Sequence, residues 1–242
     1  DINTTIVVDS SATYGSNPSN FVVYNNKLYF SAAGSYDTSN DIYDTELWVT
    51  DGTETGTVQV KDINSTLISG SETSTYNSNP SNLTLFNGLL YFSAAGSYDT
   101  SNYIYDTELW VTDGTEIGTV QVKDINTTLI SGSETSTYNS NPSNLTVFNG
   151  LLYFSADDGT TGTELWETDG TEAGTAMLTD IYTGEAAGSD PSNLTVFNNK
   201  LYFTANDGTN GTELWSTDGT KAGAVMLTDI HTGEAAGSDP SN

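Results

Sequence analysis

The string Glu-Leu-Trp-x-Thr-Asp-Gly-Thr occurs four times in 242 residues, at 46–53, 108–115, 164–171 and 213–220, each time inside a longer repeated unit. Self-similarity of this kind restricts the fold severely, because it makes the chain an array of one supersecondary unit whose copies must bury one another. Trp48, Trp110, Trp166 and Trp215 stand 62, 56 and 49 residues apart. Pro18, Pro80, Pro142, Pro191 and Pro240, each heading Pro-Ser-Asn, stand 62, 62, 49 and 49 apart. Two long units therefore precede two short ones.

The third unit displays the local structure. Leu145-Thr-Val-Phe148 is rich in strand formers, Asn149-Gly150 is a strong hairpin signal, and Leu151 to Ser155 is a second apolar run. After a Gly/Thr/Asp loop, Glu164 to Thr168 reads as a third strand, Asp169-Gly170 opens a turn ending at Gly174, and 175–181 is a fourth strand. No helical period is present. Units of roughly 40 to 50 residues with four antiparallel strands make propeller blades, since each sheet is apolar on both faces and must stack on its neighbours. The expected fold is all-β: a four-bladed β-propeller-type array of four-stranded antiparallel blades, or a segment of a larger repeat array. Residues 1–16 read as the tail of a preceding repeat and 17–78 and 79–140 as blades 1 and 2 with long loops. Residues 141–189 read as blade 3, and 190–242 as blade 4 plus the start of a following repeat.

The fourfold ELWxTDGTxxG, preceded by PSNLTVFNxxLYFxA, resembles the ELWxxDGT repeat of bacterial secreted and surface proteins, and the resemblance covers essentially the whole chain. It implies β-propeller-type blades in an extracellular or cell-surface setting.

The formal net charge is -27, from 32 acids against five Lys and no Arg. That balance opposes nucleic-acid binding, which needs cations to displace phosphate counterions. It equally opposes attraction to anionic membranes, and it favours cation binding. Without Cys there is no disulfide or thiolate chemistry. No apolar stretch is long enough for a membrane-spanning helix.

The four Trp residues and the Tyr-Phe pairs that precede them sit mid-strand, where packing between blades accounts for them. Glu46, Glu108, Glu164 and Glu213 recur at equivalent places, which suits hydrogen bonding at the entrance to the third strand. Catalysis needs one asymmetric pair in one cleft. His231 is the single His, so Ser/His/Asp and Cys/His constellations lack members. The expectation is a chain without catalytic activity.

Asp51, Asp113, Asp169 and Asp218, each followed by Gly, are read as turn formers. Asp157-Asp158-Gly159 and Asn206-Asp207-Gly208 are better placed as metal ligands, because two oxygen-bearing side chains precede the turn Gly. Calcium, which takes six to eight oxygens, is the cofactor they point to.

Blades 1 and 2 agree at 53 of 62 positions and carry insertions that the short blades lack. One adds six residues between the second and third strands, at 34–44 and 96–106; the other adds seven before the next blade, at 65–78 and 127–140. In a four-stranded meander both emerge on one side. That side would carry Tyr36, Asp37, Asn40, Tyr43, Asp44 and Tyr76, with counterparts Tyr98, Asp99, Asn102, Tyr105, Asp106 and Tyr138. Tyr among small polar groups is the chemistry of adaptable recognition. The expected role is therefore an extracellular structural or adhesive repeat stabilised by calcium, with a carbohydrate-binding propeller using this enlarged face as the alternative. The partners would be cell-surface or matrix glycans or proteins, or copies of the chain itself.

Overall fold

A computed structural model describes residues 2–5, 13–72, 74–183 and 187–230. His231, Pro240, the expected start of a following repeat and half of the expected N-terminal tail lie outside the described residues. Sixteen strands form four four-stranded antiparallel sheets, each a meander in chain order, and one 3-10 turn at Lys221–Gly223 is the sole helical element among the described residues. The all-β propeller-type architecture is thus present.

Blade 1 comprises β1 (Ser19–Tyr24), β2 (Lys27–Asp37), β3 (Ile42–Thr50) and β4 (Val58–Lys61). Blade 2 comprises β5 (Ser81–Phe86), β6 (Leu89–Asp99), β7 (Ile104–Thr112) and β8 (Val120–Lys123). Blade 3 has β9 (Ser143–Phe148), β10 (Leu151–Asp157), β11 (Thr163–Thr168) and β12 (Ala176–Thr179). Blade 4 has β13 (Ser192–Phe197), β14 (Lys200–Asn206), β15 (Thr212–Thr217) and β16 (Val225–Thr228). The chain divides into two compact units: 1–121 with 129–136, and 122–128 with 137–242.

The repeated residues are explained by what their backbone must do. Asn25 and Asn26 join β1 to β2 with φ of 49° and 58°, and Asn149 and Gly150 join β9 to β10 with 48° and 79°. Positive φ at both central residues is the tight hairpin turn that matches strand twist, and only Gly, Asn or Asp adopt it cheaply. The Thr-Asp-Gly-Thr string is a second turn. Asp51 Oδ1 accepts from the Thr53 N–H at 2.9 Å and the Thr53 hydroxyl at 2.6 Å, while Thr50 and Thr57 share a hydroxyl bond of 2.7 Å across the strand ends. A Cβ on Gly56 would lie 2.0 Å from Asp51 Oδ1, which explains the Gly that closes each copy. Asp113, Asp169 and Asp218 make the same bonds.

Within each unit one blade packs on the next. In the first, Tyr24, Tyr29, Leu47, Val60 and Ile63 of blade 1 meet Leu90, Phe92, Ala94 and Trp110 of blade 2. In the second, Phe148, Tyr153, Leu165, Leu178 and Ile181 of blade 3 meet Leu201, Phe203 and Ala205 of blade 4. Burying each such side chain contributes about 1.5–3 kcal/mol. The Pro-Ser-Asn motif ties the same interfaces: Asn20 Nδ2 and Ser31 Oγ both donate to the Pro80 carbonyl, and Asn144 Nδ2 and Ser155 Oγ to that of Pro191.

The recurrent Glu is a buried clamp. Glu46 Oε2 accepts from Ile63 N–H at 3.0 Å and Ser78 Oγ at 2.6 Å, and its Oε1 accepts from Ser78 N–H at 3.0 Å. Glu164 treats Ile181 and Ser189 the same way. One carboxylate thereby fixes both the chain leaving a blade and the chain entering the next.

Candidate functional site

The first insertion is strand rather than loop. In blade 1 it lengthens β2 and β3 into a hairpin that pairs Ser35 with Asp44, Tyr36 with Tyr43 and Asp37 with Ile42, after a bulge between Ala33 and Ser35. Gly34 occupies that bulge because a Cβ there would lie 2.9 Å from Trp48 Cζ2. Cross-strand pairing of aromatic and β-branched residues explains why a stretch of this composition extends the ladder.

A tyrosine stack braces the hairpin: Tyr36 lies 4.4 Å from Tyr43 and 4.2 Å from Tyr14, centroid to centroid. The Tyr36 hydroxyl donates to Asp41, which pushes its pKa up to about 12. At the tip, Asp37 Oδ1 accepts from the N–H groups of Ser39 and Asn40, and Asn40 Nδ2 donates to Asp37 Oδ2 at 3.1 Å. The Asn40 side chain is the main cause of the lowered Asp37 pKa, with these N–H groups assisting.

The second insertion folds back beside this tip. Leu67 bridges Thr75, Ile68 N–H donates to Ser74 O, and Tyr76 N–H to Thr66 O, with Ile68 buried beneath. Between the two lies a groove of about 540 Å³ lined by Tyr36, Asp37, Thr38, Ser39 and Asn40 on one wall and Ser69, Gly70, Ser71 and Ser74 on the other. Its surface is an array of hydroxyl, amide and carboxylate groups beside one aromatic ring.

Blade 2 repeats these residue types. Asp99 Oδ1 accepts from Ser101 and Asn102 N–H, and the Asn102 N–H is the largest favourable cause of its lowered pKa, with the Ser136 hydroxyl also contributing. Tyr98 lies 4.1 Å from Tyr76 and 4.5 Å from Tyr105. Tyr76 is buried in that stack, whereas Tyr138, at the corresponding place before a short blade, is exposed. Of the residues expected on this face, Tyr36, Asp37 and Asn40 line the groove, Tyr43 and Tyr105 brace their hairpins, and Asp44 points into the acidic cluster described below.

Sequence reasoning passed over Ser69, Ser71 and Ser74, and also Tyr103. The two hairpin insertions are identical except that Asp41 becomes Tyr103, a difference that was available as a signal. Tyr103 is 79% exposed at the hairpin tip with φ of 60°, a conformation bulky side chains adopt only at a cost.

Asp44, Glu46 and Asp62 bring carboxylate oxygens within 4.8 Å of one another. Burial, then the charge of Asp62, raises Asp44 to about 6, and burial raises Glu46 to about 8. Asp44 Oδ1 is buried without a donor. The same residue types recur at Asp106, Glu108 and Asp124, but blade 3 has Gly162 where blade 1 has Asp44. By contrast, Asp157 and Asp158 accept turn N–H groups from Gly159, Thr160 and Thr161. Asn206 and Asp207 do so from Gly208, Thr209 and Asn210.

No family model matches the sequence, and no curated protein does. Among solved structures, the chain resembles a puromycin hydrolase at 15% identity and a TM-score of 0.50, covering 96% of this chain but only 30% of that enzyme. It also resembles a family 117 glycoside hydrolase from the marine bacterium Zobellia galactanivorans, at 13% identity, 88% and 70% coverage and a TM-score of 0.42. An alpha-L-arabinofuranosidase from Clostridium thermocellum matches at 17% identity, 86% and 70% coverage and 0.40. These likenesses concern the fold. The expectation of a chain without catalytic activity is corrected to this extent: the puromycin hydrolase shows that a fold of this kind can belong to an enzyme, so the fold gives no ground for excluding catalysis. Glu46 and Glu108 each have an Asp beside them, whereas blade 3 places Gly162 at that position relative to Glu164. Among the described residues no helix is long and apolar enough to cross a membrane.

Proposed function

We propose that the chain is an extracellular adhesive protein that binds carbohydrate through the enlarged face of blades 1 and 2. The groove between the hairpin tip and the linker of blade 1 carries this reading: it joins serine, threonine and asparagine groups with the Tyr36 ring in a space of about 540 Å³. Sugars present hydroxyls on a ring with an apolar face, and a wall of small polar groups beside an aromatic ring complements both. Two near-identical insertions on one rigid scaffold suit a multivalent glycan on a cell surface or in a matrix, where avidity multiplies weak single sites.

Calcium is the ion proposed to accompany it. Asp44, Glu46 and Asp62 bring carboxylate oxygens together, and Asp44 Oδ1 is buried without a donor; a cation there would offset mutual repulsion.

A glycan array probed with and without calcium tests the reading, followed by product analysis of any bound glycan. Tyr36→Ala with Asn40→Ala is expected to weaken binding about tenfold or more through lost avidity. Binding indifferent to these changes, or silence in both conditions, overturns the proposal. Cleavage of the glycan that stops with Asp44→Asn would make the face a catalytic one.

A further inference from the structure

The hairpin insertions of blades 1 and 2, at 34–44 and 96–106, differ by one exchange: Asp41 in the first is Tyr103 in the second. The fold asks the same of both positions. Each lies in the left-handed region, at φ of 58° and 60°, where Asp enters readily and a bulky ring only at a cost. Asp41 also accepts the Tyr36 hydroxyl, whereas position 103 offers Tyr98 no carboxylate. Tyr103 N–H donates to Asp99 O at 2.8 Å, which seats the residue at the tip, and its side chain is 79% exposed. In the free protein the exchange is therefore unfavourable twice, through backbone strain and through a large ring left in water. Strain kept where a sister hairpin shows the relaxed alternative points to a contact made outside the chain.

The ring stands beside fixed polar groups. Asp99 Oδ1 accepts from the N–H groups of Ser101 and Asn102 at 2.8 and 2.9 Å and from Asn102 Nδ2 at 3.3 Å. The following linker folds next to this tip as the first linker does next to its own: Ile130 is buried, its N–H donates to Ser136 O at 2.9 Å, and the Ser136 hydroxyl reaches Asp99. We infer that Tyr103 is the ring on which the second hairpin stacks a sugar, and that the sugar is an uncharged pyranose with all its substituents equatorial, as in β-1,4-linked glucose. This rests on the glycan reading and names the ligand class of the same face.

The ligand class follows from the geometry. A projecting ring recognises a flat apolar face, with polar groups at its side to take hydrogen bonds. A pyranose whose hydroxyls are all equatorial presents C–H bonds on both faces. An axial hydroxyl would hold the sugar off the ring and be desolvated without a partner. An acidic sugar is opposed by Asp99, which the Asn102 N–H keeps below the ordinary carboxylate range, because like charges repel. Replacing Asp41 by Tyr103 leaves the second tip one carboxylate short of the first, so blade 2 is the better seat for a neutral chain.

Calorimetric titration of the whole chain with cellohexaose, paired with denaturant unfolding, tests this. Both are done in an Asn40→Ala background, so that the groove of blade 1 does not mask the second hairpin. Tyr103→Asn keeps the charge and restores a side chain suited to the left-handed region; affinity is expected to fall about tenfold while the unfolding midpoint rises. Tyr103→Phe keeps the ring and is expected to keep both values. A residue serving the fold alone would not weaken binding while strengthening the fold. Cellohexaose affinity unchanged in Tyr103→Asn overturns the inference and leaves the glycan reading standing, as does binding of other glycans with none of cellohexaose. A fall in both affinity and midpoint also overturns it, because the ring then acts through the fold. Silence toward every glycan removes the glycan reading and this inference with it.

Discussion

At the scale of single residues, the recurrent Glu does the hydrogen-bonding job that its repetition implied. Glu46 is wholly buried, yet three donors converge on it, so its carboxylate organises backbone that has no strand partner. Its pKa is nonetheless pushed up to about 8 by burial, and that of Asp44 to about 6. Both groups bind a proton more tightly folded than unfolded, so their contribution to stability is complete below the ordinary carboxylate range. It is lost as pH rises through about 6 and then about 8. The turn aspartates Asp51 and Asp169 are shifted down, chiefly by the Thr53 and Thr171 hydroxyls, and their contribution is lost as pH falls through their lowered values. The melting temperature is therefore expected to peak near pH 5, roughly, and to fall toward alkaline pH. A melting temperature that climbs steadily from pH 5 to pH 9, roughly, would contradict this assignment. Glu46→Gln leaves one acceptor but turns an amide NH₂ toward existing donors, which costs about 1–3 kcal/mol by denaturant unfolding and flattens the alkaline side of the profile.

At the scale of elements, the hairpin and the linker differ in what holds them. The hairpin is braced by ladder bonds and a tyrosine stack, whereas the linker is held by Ile68, by Tyr76 packed on Tyr98, and by a few backbone bonds. Ile68→Ala is expected to cost about 2–4 kcal/mol locally while moving the global melting temperature little, because loosely tied segments open on their own. Hydrogen exchange at Tyr76 and Ile68 N–H would accelerate, and unchanged exchange would show the linker to be part of the cooperative unit. The tip of the second hairpin holds Tyr103 in the left-handed region. Tyr103→Gly should relieve that strain and stabilise the chain by about 1 kcal/mol in denaturant unfolding; a destabilised variant would mean the ring contributes contacts that outweigh its backbone. That the insertions form one face was legible from meander parity alone. That they continue the sheet was not, because Tyr, Ser, Asp and Asn suit a loop as readily as an exposed hairpin, and the deciding register depends on the bulge at Gly34.

At the scale of the molecule, charge dominates. With a net charge of -27, repulsion opposes compactness, and screening should raise the melting temperature as sodium chloride is added. At matched ionic strength, calcium is expected to raise it further than sodium, and Asp44→Asn to remove part of that extra gain. Identical melting curves in calcium and chelator would eliminate the ion from the proposal.

The repeat, the hairpin residues and the alternation of apolar side chains determined the all-β meander, the four blades and the turn chemistry of Thr-Asp-Gly-Thr, because these are local rules of backbone conformation and side-chain period. The tertiary structure alone decided which copy of a repeated residue is covered. Phe148 and Phe197 share a motif and a strand position, yet one is 3% and the other 61% exposed. Identical local sequence yields identical local structure, while burial depends on the neighbouring blade, and no residue within the repeat encodes its neighbour.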